Sequence, residues 1–253
     1  MNFNVFIPLI FALSSSLAVL TFVRQPNLIW WVLGSFVILS LATAWSFCRQ
    51  AKNYFGWWQF ALLPVLANLT TILYLVIVAD KFLIYILAIF LMIFNYIYWR
   101  YLYFYLNNPS RYQSFSLEFL SFYLSFVLVF LAAAGFFGLK FLLNLNSWLV
   151  IGVAAVYLSL IIYQFTWISK YDYKKAWIYL GLMWLMLVEL FAVLLYLPLH
   201  YNVLAFTFSI GYYLLAVIIN DQLKNKLDAA RLKLYIIISV LVTVAVLASA
   251  RWI

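Results

Sequence analysis

Nearly every charge in this chain sits in a gap between apolar runs. About nine apolar runs of roughly twenty residues follow one another, each long enough to cross a hydrocarbon layer about 30 Å thick as a helix. Only Glu189 falls deep inside a run. The runs are Val5 to Val23, Asn27 to Cys48, Trp58 to Ala79, Phe82 to Trp99, Leu117 to Leu139, Ser147 to Ile168, Ala176 to Leu197, Tyr201 to Asn220 and Leu234 to Ala250. Hydrophobic residues make up 70% of the 253 and charged residues only 8%, outside the range in which water can be the main solvent. The segment beginning Phe82-Leu-Ile-Tyr-Ile-Leu is apolar on every face, where a membrane β-strand would alternate. The expected fold is therefore all-α: a polytopic integral membrane helix bundle with lipid as its surroundings.

Eleven of the fifteen Lys and Arg residues fall in alternate gaps: Arg49, Lys52, Arg100, Arg111, Lys170, Lys174, Lys175, Lys224, Lys226, Arg231 and Lys233. The positive-inside rule makes these gaps cytoplasmic, with the N-terminus on the same side and the C-terminus opposite, in a plasma or inner membrane. Arg24, Lys81, Lys140 and Arg251 occupy the other side. The formal charge of +9 is thus topological, and nucleic acid is not an expected partner, since no solvated domain clusters its cations. Aromatic residues crowd the span ends, as in Tyr96-Ile-Tyr98-Trp99-Arg100-Tyr101, and read as interfacial belts.

The chain reads as a single transmembrane domain over residues 1–253 with no soluble module. Laying the first four spans on the next four suggests a parallel repeat, with units 1–106 and 116–220 and a final span 234–250. A shift of 121 residues puts Asn68 on Glu189, and a shift of 120 puts Trp57 on Trp177. Ser110 and Gln113, after Asn107-Asn108-Pro109, have the spacing of a capping box. Asp221 to Arg231 has the i,i+3 charge spacing of a helical extension in water, with Asp221–Lys224 and Asp228–Arg231 as its two pairs.

Glu189 is the leading candidate for function. It lies about thirteen residues, or roughly 20 Å, from the start of its run, and insertion there costs at least about 2.5 kcal/mol. Low dielectric favours its neutral form, which suits either proton coupling or a hydrogen bond to a neighbouring helix. Asn68, Gln164 and Asn95 are the candidate polar partners or ligand groups, with Asn68 facing a shared central site if the repeat holds. Pro64 frees a backbone carbonyl near Asn68. Arg100, Arg111 and Glu118 are candidate contacts to a headgroup or phosphate, and Arg100 and Glu118 could instead pair across a hairpin. His200, in the turn after the span that carries Glu189, reads as an interfacial residue or a point of proton entry.

With one His and one Cys the chain cannot assemble a multi-histidine site or a cysteine cluster, so no metal, no cofactor and no catalytic set is expected. Glycine-rich phosphate loops and nucleophile elbows are missing from the sequence as well. The expectation is a non-enzymatic protein of membrane transport, or the embedded subunit of a transport or assembly complex, with a membrane-protein partner or a second copy beside it. An intramembrane enzyme acting on lipid, with Glu189 or Glu118 as acid or base, and a purely structural scaffold are the alternatives.

Overall fold

Hydrocarbon offers the backbone no hydrogen-bond partner, so each crossing segment must close its N–H and C=O groups on itself, which a helix does turn by turn. A computed structural model describes residues 6–51, 56–113, 116–171 and 173–249. Val5, Lys52, Asp172, Ala250 and Arg251 lie outside these residues. The described chain forms nine long helices: α1 Ile7–Arg24, α2 Ile29–Gln50, α3 Trp57–Leu75, α4 Lys81–Asn107, α5 Ser116–Leu143, α6 Ser147–Ile168, α7 Tyr173–Leu194, α8 Tyr201–Leu223 and α9 Ala229–Ser249. All nine are long and apolar enough to span a membrane.

Local residue chemistry sets the helix ends. Asp80 caps α4 by accepting from Phe82 N at 2.9 Å, Asn146 caps α6 by accepting from Trp148 N at 3.0 Å, and His200 Nδ1 accepts from Asn202 N at 3.3 Å at the start of α8. Asn144, Lys170 and Asn225 follow α5, α6 and α8 in the left-handed region with φ of 47°, 54° and 54°, the usual way for a helix to stop. Gly56, with φ of 73°, precedes α3, and a Cβ there would collide with the Gln59 side chain.

Three sequence expectations give way. Helix α4 runs eight residues past Trp99 to Asn107, because a helix satisfies its own backbone whether or not its side chains remain apolar. Ser110 does not open a capping box; it donates to Asn108 Oδ1 at 3.0 Å within a 3-10 turn over Pro109–Arg111, and α5 begins at Ser116. The Asp221 to Arg231 stretch is not one helix either. It breaks after Leu223 and restarts at Ala229, although Asp228 and Arg231 do pair at 3.7 Å.

The chain divides into two compact units, residues 1–123 and 124–253, with the division inside α5. In the first, α1 packs mainly on α4 and α2 mainly on α3. Its core centres on Trp99, fully buried against Phe11, Phe47 and Tyr98 with ring centroids 5.2, 6.1 and 5.6 Å away. Tyr98, Trp99 and Tyr103 are therefore core residues, not the interfacial belt their neighbours suggest. Pro64 within α3 has no N–H for the Phe60 carbonyl, and the Tyr98 hydroxyl donates to that carbonyl at 2.7 Å.

In the second unit, α7 packs on α6 and α8, and α8 packs on α9. Phe137 stacks on Phe191 at 4.5 Å, and Phe191 meets Phe208 edge-on at 5.5 Å, which ties α5, α7 and α8 together. Alanines 132, 133 and 154 line a small apolar void beside these rings.

Truncating Trp99 to Ala removes the centre of the first core and should cost about 3–5 kcal/mol. The sole thiol, Cys48, is fully buried in the same unit and makes the loss visible. A thiol-reactive fluorogenic dye should label W99A at a markedly lower temperature than the parent.

Candidate functional site

The first unit holds a cluster of polar side chains in its core. Ser15 on α1, Asn68 on α3 and Asn95 on α4 are each at most 1% exposed. Asn95 Nδ2 donates to Ser15 Oγ at 3.1 Å and, at the longer distance of 3.5 Å, to Asn68 Oδ1. Asn68 Nδ2 donates to the Pro64 carbonyl at 2.8 Å, and Ser15 Oγ donates to the Ala12 carbonyl at 2.8 Å. The chain of bonds joins three helices, and only Asn95 Oδ1 is left without a partner. Thr70 and Thr71 turn their hydroxyls back onto carbonyls of their own helix.

Glu189 is placed differently. It sits on the exposed side of α7, whose opposite side buries Met183, Leu187 and Phe191. Among the described residues it has no hydrogen-bond or ion-pair partner. The sequence reading puts it against a neighbouring helix or a central site with Asn68; the structure instead turns it outward. The 121-residue shift thus pairs a fully buried position with an exposed one. Burial at depth in a span does not fix direction, because a rotation of 100° per residue decides which neighbour a side chain meets.

Gln164 on α6 is fully buried, and neither of its amide atoms has a partner among the described residues. Arg100 is exposed and donates to Tyr96 Oη at 2.9 Å, with its guanidinium over the Tyr96 and Phe104 rings. Glu118 accepts from the Tyr112 hydroxyl at 3.1 Å, so the hairpin pair with Arg100 does not form. Arg111 is exposed at the end of its 3-10 turn. His200 lines an open cleft of about 340 Å³ with Phe141, Pro198, Leu199 and Tyr201.

One cluster was not anticipated. Asp221, counted among the solvated charges of the α8–α9 connection, is only 8% exposed. It accepts from the Tyr235 hydroxyl of α9 at 2.8 Å and from Asn220 Nδ2 at 3.0 Å, while Tyr171 donates to Asn220 Oδ1 at 2.6 Å. Burial pushes the Tyr171 phenol up to about 12, so at neutral pH the hydroxyl keeps its proton and remains a donor. The i,i+3 charge spacing drew attention to Lys224 as the partner of Asp221, but Lys224 lies over the Tyr171 ring. Asn220 next to Asp221, at the end of an apolar run, was the available signal.

Among the described residues no group of three or more His, Cys, Asp or Glu side chains could hold a metal ion. Comparison with protein-family models, with curated proteins and with solved structures gives no match.

Two substitutions separate the connected amides from the unconnected one. Asn95→Leu strips Ser15 and Asn68 of their donor and should lower stability by about 1–2 kcal/mol, whereas Gln164→Leu, which replaces an unpaired amide by a similar volume, should be neutral or stabilising. Thermal unfolding followed by tryptophan fluorescence reads both. Tyr235→Phe should free α9 from Asp221, seen as faster proteolysis within residues 224–233 with the remaining helices protected.

Proposed function

We propose that this protein is a non-enzymatic, membrane-embedded subunit that assembles with another polypeptide inside the bilayer, and that Glu189 is the group through which it docks. The observation that carries the reading is the carboxyl itself, exposed on α7 at membrane depth with no partner among the described residues. Lipid tails cannot hydrogen-bond to it, and leaving it in hydrocarbon costs at least about 2.5 kcal/mol, a cost that a donor on a neighbouring helix offsets. On this reading the Lys- and Arg-rich gaps are cytoplasmic, and the exposed Arg100 and Arg111 contact lipid headgroups.

The transport reading, in which Glu189 and Asn68 share a central site, has weaker support. The Asn68 side chain is engaged by Pro64 and Asn95 within its own core. The lipid-enzyme reading fares similarly, because Arg100 and Glu118 are held by tyrosines rather than by each other.

Native mass spectrometry of the protein, extracted gently from its own membrane, tests the proposal. A stoichiometric polypeptide partner is expected, retained largely in Glu189→Gln and lost in Glu189→Leu. A monomer that carries a defined solute lost on Glu189→Gln would overturn the subunit reading in favour of transport.

A further inference from the structure

Resting on the subunit reading, we infer that the partner at Glu189 is a second copy of this chain, paired through the exposed face of α7 about a two-fold axis normal to the membrane. The face is continuous. Ile178, Gly181, Leu185, Glu189 and Val193 recur at spacings of three and four residues and are all exposed, while Met183, Leu187, Phe191 and Leu194 on the other side are buried within the unit. Gly181 has open space around the position of a Cβ, which lets a second helix backbone approach at that turn.

Geometry then selects the occupant. Two copies inserted in the same sense can be related only by an axis along the membrane normal, so at the contact each residue of α7 meets its own counterpart at the same depth. A charged side chain gains nothing by meeting its own copy, but a neutral carboxyl, like an amide, is at once donor and acceptor: the O–H of one Glu189 meets the C=O of the other, and the reverse bond closes the pair. No residue from another protein is needed to satisfy the group, and the apolar residues above and below it supply the packing.

Pairwise cross-linking of the full chain, purified and diluted into phosphatidylcholine vesicles, tests the inference. In a background lacking Cys48, Leu185→Cys should give an oxidised dimer at least tenfold above Val156→Cys, which is exposed on α6. Adding Glu189→Leu should reduce the Leu185→Cys yield to the Val156→Cys level, and adding Glu189→Gln, whose amide is also self-complementary, should retain most of it. Monodispersity in detergent establishes that each variant is folded, and both substituted positions are exposed on the described chain.

Leu185→Cys yields no higher than Val156→Cys in purified vesicles, or yields untouched by Glu189→Leu, would overturn the self-paired contact. If the same position then cross-links to a different polypeptide in native membranes, the subunit reading survives with a different partner. If it cross-links to nothing there either, both fail.

Discussion

The absence of hydrogen-bonding solvent in the hydrocarbon layer governs this molecule from its backbone outward. Pro64 breaks one helical bond in α3, and the break is repaired from another helix by the Tyr98 hydroxyl on the Phe60 carbonyl. Asn95 follows the same rule through its amide nitrogen, which bonds Ser15 of α1 and Asn68 of α3 within the same unit. Helix association in lipid draws on packing and on such bonds, because apolar side chains gain nothing by leaving one hydrocarbon for another. The first unit thus has both a shape-determined centre, Trp99 with its aromatic neighbours, and a bond-determined one.

Not every polar side chain among the described residues is satisfied in this way: Ser40, Trp99 and Thr207 keep unpartnered polar atoms, and Gln164 and Glu189 do so with larger groups. Gln164 is buried with its amide unconnected, and Glu189 is exposed with its carboxyl unconnected. The two cases differ physically. A buried orphan is a local cost carried by the fold and can be removed without loss of stability. An outward-facing one is open to a group from outside the chain, which is why Glu189 and not Gln164 motivates the proposed assembly.

The sequence conveyed the nine crossings well because hydropathy over twenty residues reports directly on what lipid accepts, and α6, Ser147–Ile168, begins and ends where its apolar run does. It conveyed boundaries poorly where helix and hydropathy part company, as in α4, which continues through Arg100 and Tyr101. Direction within a helix was the least legible. Asn68 and Glu189 sit in similar apolar surroundings along the chain, yet one is enclosed and the other exposed, since their neighbours come from helices far away in sequence. Asp221 was misread for the same reason: the Tyr235 that shelters it lies beyond a break that charge spacing alone did not reveal.

Helices α3 and α9 are held by unlike demands. Two-thirds of α3 is enclosed, so its residues answer to the shapes around them, and Pro64 and Asn68 have specific counterparts. Helix α9 buries only Ser239 along its length and is fastened by the Tyr235 hydroxyl near its start. Most of its apolar side chains are exposed, and hydrocarbon accepts any apolar residue there. Drift in related chains would accordingly erase the identity of α9 while preserving its oiliness, and α3 would keep its letters.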